Sequence, residues 1–362
     1  MALNASGALS LGGSTVGQSV NLELGKAAGA TITMNDTNLR SLFGVASGQI
    51  SISSGYGKSS YTVNSTRGYS MGGWQPPATT STEIDGIQFD TEATINPAAA
   101  VVQPRAQASG VNNTSRGYMG GGRSSPNGLS TQIDGVQFSN ETAIDPAAGL
   151  AQARYTTYGV NSGSRGYFMG GTTPPNVRLA QIDGIQFSDE TAIDPAAALV
   201  QARISGGATT SSTRGYAHTG RDTTPGAGAT QIDGIQYSNE TAIDPAAAVV
   251  QGRGDPSSHN SSTRGYINSG LGAPPAILYA QIDGIQFDTE AAIDPAAAVS
   301  QPRHGGSGFN SSSKGYIAGG TGTGSATAQI DGLQYSNETA IDPAAALIQP
   351  RRYNAGVQNS NN

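Results

Sequence analysis

The tripeptide Arg-Gly-Tyr begins at Arg67, Arg116, Arg165, Arg214 and Arg264, and its variant Lys-Gly-Tyr begins at Lys314. Ile-Asp-Gly keeps the same register, at Ile84, Ile133, Ile182, Ile232, Ile282 and Ile330. A single arginine closes each unit, at Arg105, Arg154, Arg203, Arg253, Arg303 and Arg351. Three markers held in one register over six copies define a tandem array with a period of about 49 residues. Such a period restricts the chain to architectures that stack one supersecondary unit on the next.

One unit, 155–203, shows what is repeated. A short β-type segment over 155–162 is followed by a strand at Arg165–Met169, which Gly170 and Gly171 end. After a loop of Thr, Pro and Asn, a third strand is predicted over 180–187, with Gly184 in its middle. A Gly inside a strand signals close backbone approach. Ser188, Asp189 and Glu190 form a hairpin turn, and Thr191 to Ile193 begin a fourth strand. Asp194-Pro195 followed by alanines reads equally as an edge strand or as a short helical turn with Asp as cap and Pro in the first turn. Four strands in a unit of this length are the size of a propeller blade. The expected fold is therefore all-β: a six-bladed β-propeller over 59–352, preceded by a small, mainly-β N-terminal domain over 1–58. An open β-solenoid competes, but it needs polar capping repeats, and neither end of the array supplies an obvious one. The tail, 353–362, repeats the start of a unit, and so does the segment Ser59 to Ser65 before the first. Seven inner-strand candidates thus serve six blades, and one is surplus or closes the ring.

Composition limits the chemistry. The formal net charge is −6, which disfavours nucleic acid as a partner. There are no cysteines, so disulfides and thiolate metal sites are excluded. No stretch approaches the roughly 20 apolar residues of a membrane helix. The first thirteen residues lack a basic segment and a continuous apolar core, so synthesis in a cytoplasm without a signal peptide is expected. His218, His259 and His304 lie in different units, and there is no Asp-rich calcium loop, so no metal or other cofactor is expected.

The units resemble kelch-like propeller repeats in layout: a Tyr followed by a Gly pair (Tyr167, Gly170, Gly171), a turn bearing Glu, and a closing Arg. They lack the kelch Trp, and the fourth and fifth units lose the Gly pair around Gly220 and Gly270. The N-terminal segment carries Leu11-Gly12-Gly13-Ser14-Thr15, Asn21-Leu22-Glu23-Leu24-Gly25, Leu39-Arg40-Ser41-Leu42-Phe43-Gly44-Val45 and Tyr56-Gly57-Lys58-Ser59, with a short helix expected around Thr37 to Phe43. It resembles the N-terminus of virion proteins of tailed bacteriophages, such as tail fibres and neck- or tail-associated proteins. That resemblance implies a virion location after assembly in the host cytoplasm. Residues 1–58 would attach to other virion proteins of the tail or neck, and the propeller would be displayed to the host, as one copy or as a homo-oligomer, without membrane insertion. The function expected is non-enzymatic recognition of the host surface, with a glycan as the expected ligand. A spacer or capsid-decoration role without ligand, and a glycan-degrading virion enzyme, are the alternatives.

The repeated charges read as framework. Asp85, Asp134, Asp183, Asp233, Asp283 and Asp331 occur once per unit, as do the turn glutamates Glu92, Glu141, Glu190, Glu240, Glu290 and Glu338. An active site is built once, so groups present six times are expected to accept turn hydrogen bonds and to pair with the repeated arginines, either within a blade or with a neighbour's. No catalytic residue is assigned, because there is no nucleophile–base pair, phosphate loop or sialidase box. Arg253-Gly254-Asp255 spells an integrin-binding tripeptide, but its Arg is the ordinary closing Arg of its unit. By contrast, the loop after the second strand changes completely between units: Trp74 to Ser81, Arg123 to Ser130, Thr172 to Leu179, Arg221 to Ala229, Leu271 to Tyr279 and Thr321 to Ala326. Varied loops on a rigid frame are where recognition is found. Trp74, Arg123, Arg178, Arg221, Asp222 and Tyr279 are the binding candidates.

Overall fold

Each Arg-Gly-Tyr strand is the second strand of a four-stranded antiparallel sheet, and six such sheets form a six-bladed β-propeller. The structure, a computed structural model, describes residues 19–23, 39 and 67–359, apart from 78, 125–127, 222–227 and 273–276. The chain divides into two units, Met1–Asn64 and Ser65–Asn362. Within the first, the structure describes the helical turn Val20–Glu23 and the buried, helical Leu39; the other strands and helix expected there lie outside the described residues. Among the described residues no helix is long and apolar enough to cross a membrane.

Blade 3 illustrates the rest. Tyr158–Asn161 is innermost, followed outward by Arg165–Met169, Ile182–Gln186 and the short outer strand Ala192–Ile193. In the register of the middle pair Tyr167 faces Gly184. A Cβ on Gly184 would stand 1.9 Å from the Gly166 carbonyl oxygen, and the equivalent glycines of the other five blades are equally constrained. The Asp-Pro-Ala stretch forms no helical turn. It runs on past the outer strand, pairs Ala198 with Gln181, and donates the Leu199 N–H to the Ala180 carbonyl. Burial of Leu199 and the need to reach the next blade override the local helical preference.

Blade 1 takes its inner strand from the other end of the chain. Ala355–Gln358 pairs antiparallel with Arg67–Met71, so the tail closes the ring. The rival segment before the first unit lies outside the described residues.

The apolar clusters lie between blades. Tyr167 stacks on Tyr237 of the next blade with ring centroids 5.7 Å apart, and the tyrosine of every Arg-Gly-Tyr or Lys-Gly-Tyr makes the equivalent contact. The glycine before it leaves room for an inner-strand side chain of the preceding blade: Val111 against Gly166, Val160 against Gly215, His259 against Gly315. The Arg before that glycine pairs with the turn glutamate of the next blade, as in Arg165–Glu240 at 2.6 Å, and the tyrosine hydroxyl donates to the same carboxylate. These six outer pairs, with Lys314–Glu92 the last, are half-buried.

The closing arginines form a second ring, fully buried. Arg154 binds Asp183 of the next blade through both oxygens, at 2.5 and 2.8 Å, and donates to the Phe168 carbonyl as well. Asp183 also accepts the Ala151 N–H. Arg105–Asp134, Arg203–Asp233, Arg253–Asp283, Arg303–Asp331 and Arg351–Asp85 repeat the pairing around the ring. The partner is always in the following blade. Burial pushes the Asp85 and Asp233 carboxyls up, and the facing guanidinium opposes it.

Three measurements check this construction. Gly184→Ala forces Cβ into backbone and should cost about 3 kcal/mol or more; a melting temperature equal to wild type would refute the close approach. Arg203→Ala leaves Asp233 buried without its partner and should cost about 3–5 kcal/mol in chemical denaturation, whereas a change within error would show that the pair is dispensable. His218 and His259 are wholly buried, and burial pushes both imidazoles down to about 3. The stability they hold is present above the unfolded-state value near 6.5 and is lost as pH falls toward about 3. His218 donates to or accepts from Thr209, and blades 1 and 3 carry Met and Val at these two places. Thr209→Val with His218→Met should flatten the fall in melting temperature between pH 6.5 and 4; an unchanged slope would exclude His218 as its source.

Candidate functional site

The order of strands places the variable loops together. Second strands run toward one face, a Gly pair (Thr219-Gly220 and Ser269-Gly270 in blades 4 and 5) turns the chain there, and third strands run back. Each loop leaves its turn as a short hairpin. Trp74–Gln75 pairs with Thr79–Thr80, Arg123–Ser124 with Gly128–Leu129, and Thr172–Thr173 with Val177–Arg178. Blades 4, 5 and 6 close theirs through single bridges: Arg221 to Gly228, Leu271 to Leu278, and Thr321 to Ala326. Varied hairpins thus rise from an invariant base.

The hairpins are tied to a second variable position, the residue directly after each closing Arg. Trp74 pairs with Arg352, Arg123 with Ala106, Thr172 with Tyr155, Arg221 with Ile204, Leu271 with Gly254 and Thr321 with His304. This tie brings Trp74 and Arg123, from blades 1 and 2, beside Tyr155 of blade 3. The Arg123 guanidinium lies 5.5 Å from the Trp74 ring centroid and 5.1 Å from that of Tyr155. Arg178 stands opposite Thr172 in the adjoining hairpin. Tyr279 is elsewhere, in blade 5, where its hydroxyl accepts a hydrogen bond from Gln251 at 2.6 Å. Asp222 lies outside the described residues.

The next residue along, Gln107, Thr156, Ser205, Asp255, Gly305 or Tyr353, adopts a left-handed conformation in every blade, with φ between 53° and 68°. In this conformation its N–H reaches the carbonyl of the same position in the preceding blade. The six bonds, from Thr156 to Gln107 at 2.7 Å through Tyr353 to Gly305 at 2.5 Å and Gln107 to Tyr353 at 2.9 Å, close a backbone ring around the axis. A cavity of about 500 Å³ follows that axis, lined by the inner strands. Its walls carry mainly hydroxyls, carboxamides and glycine backbone, among them Asn112, Asn161, Thr210, Asn310 and Gln358.

One part of the backbone ring is charged. Asp255, Tyr353 and His304 meet there, with Tyr353 Oη 3.5 Å from Asp255 Oδ2 and 3.4 Å from His304 Nδ1. Burial pushes the Asp255 carboxyl up, against Ser205, Arg221 and His304, which favour its ionised form. Burial likewise pushes His304 down, against the pull of Asp255. The neighbouring Arg253 is wholly buried and holds Asp283, so the Arg-Gly-Asp tripeptide is not displayed.

Of the sequence candidates, then, Trp74 and Arg123 meet, Arg178 adjoins them, and Arg221 belongs to the Asp255 group. Tyr155, Arg352, His304 and Tyr353 were not anticipated. Their signal was present as variation in the two residues after each closing Arg, the other place where the repeat breaks. Among the described residues no three His, Asp or Glu side chains are grouped to hold a metal ion. No protein-family model matches the chain, and no curated protein matches it in sequence.

Proposed function

We propose that this chain is a non-enzymatic structural protein of a tailed-phage particle, attached through residues 1–58, whose propeller displays its loop face for recognition of a host-surface glycan. The observation that carries this reading is the division of the propeller into two kinds of surface. Residues constant between units make the contacts between blades, whereas the loops that vary most in sequence collect on one face. There Trp74, Arg123 and Tyr155 form a preformed aromatic and cationic surface, the composition typical of binding hot spots. The resemblance of the N-terminal segment to virion proteins supplies the attachment.

Two experiments separate the halves of the proposal. Removing residues 1–58 should abolish incorporation into particles while the propeller still folds; particles with normal occupancy would refute attachment through that segment. The isolated full chain should bind immobilised host-surface polysaccharide, and Trp74→Ala with Tyr155→Ala should reduce binding by about tenfold or more. Release of saccharide fragments during the incubation would instead make the propeller an enzyme.

A further inference from the structure

The arginines of the propeller divide into two sets. Eleven are ion-paired: six in the buried ring and five in the half-buried outer ring. Among the described residues, Arg123, Arg178, Arg221 and Arg352 are in no ion pair, and all four stand on the loop face. Arg221 is balanced in part by Asp255. The other three lie on consecutive blades, in one line with the aromatic residues. Arg352 is backbone-paired to Trp74, Trp74 stacks on Arg123, Arg123 stacks on Tyr155, and Tyr155 is paired through Thr172 to Arg178.

The stacking decides what Arg123 can do. Trp74 and Tyr155 hold the Arg123 guanidinium, and among the described residues no ion pair engages its N–H edge. Arg123 and Arg178 are both half-buried, unlike the wholly buried arginines of the framework ring. An edge held in this way is preorganised for two parallel bonds to a carboxylate or a phosphate. In a chain of formal charge −6, three cations left unneutralised in one line select for negative charge in the ligand. Their spacing by aromatic rings suits a ligand whose charges are separated by apolar ring faces. A nucleic-acid backbone carries denser charge, and the acidic balance of the chain opposes it.

We infer that the line Arg352–Trp74–Arg123–Tyr155–Arg178 is a binding site for an acidic glycan, a saccharide bearing carboxylate or phosphate groups. This deepens the glycan reading above and rests on it. The test uses the full chain on an array of immobilised saccharides bearing uronate, sialate or phosphate groups, together with neutral saccharides. The strongest acidic ligand is then compared with its form esterified at the acid group. The expected hits are acidic, and esterification should weaken binding by about tenfold or more. Arg123→Gln and Arg352→Gln should each weaken it by about tenfold, with Arg123→Lys recovering part of the loss. Arg352 is exposed, so its variant tests the site even if Arg123→Gln disturbs the hairpin. Binding only to neutral saccharides, or equal binding of the esterified form, would overturn the acidic site and leave glycan recognition standing. Binding to no saccharide would overturn both. A single-stranded oligonucleotide that displaces the acidic saccharide at equal concentration would overturn the assignment to glycans.

Discussion

The propeller depends on one interaction above the others: the buried arginine that each blade lends to the next. Six guanidiniums and six carboxylates lie out of water, a placement that is costly unless each charge meets its opposite and the remaining donors find acceptors. Here the backbone meets the second condition in part: each guanidinium end finds a carbonyl, while the Nε of Arg105, Arg203, Arg253, Arg303 and Arg351 has no acceptor. The arginine binds a carbonyl of the neighbouring second strand, and the aspartate takes an N–H from the segment that delivers the arginine. Each pair therefore fixes the crossing segment, the second strand and the third strand of the next blade together. No blade satisfies its own charges. The last arginine, Arg351, finds Asp85 only if the end of the chain returns to the first blade.

The same logic explains the signature tripeptide. Arg, Gly and Tyr each face a different requirement of the interface: a carboxylate from the next blade, a side chain from the preceding one, and an aromatic ring to stack on. The turn glutamate completes the set in a left-handed conformation, with φ near 53° in every blade, which a non-glycine residue adopts at a cost. Glycine would be the conformational choice at that turn. Glutamate stands there because its carboxylate must reach both the Arg and the Tyr of the blade before it.

Much of this was legible in the sequence because it repeats. The period, the strand positions, the glycine in the third strand and the pairing of Arg with Asp all follow from residues that recur in register. What was hidden is whatever depends on a neighbour. From the sequence, Arg154 could have paired with Asp134 of its own unit as readily as with Asp183 of the next; only the path of the crossing segment decides. The same path decides against the helical turn, one of two equal readings at Asp194, since Leu199 is drawn into the core. Tyr155 and Arg352 escaped notice for the opposite reason. Each directly follows an invariant Arg, and the constant residue masked the variable one beside it.

Symmetric frame and asymmetric face meet at the closing strand. The segment that completes blade 1 brings, in consecutive positions, Arg351 for the buried ring, Arg352 for the loop face, and Tyr353 for the backbone ring and the Asp255 group. Neither the line of cations across blades 1 to 3 nor the charged group at the channel mouth is complete until that segment docks. Completion of the loop face thus coincides with closure of the propeller. A chain with an open ring would lack both its last framework pair and the first cation of the line on the loop face, so a partly folded molecule does not present that line.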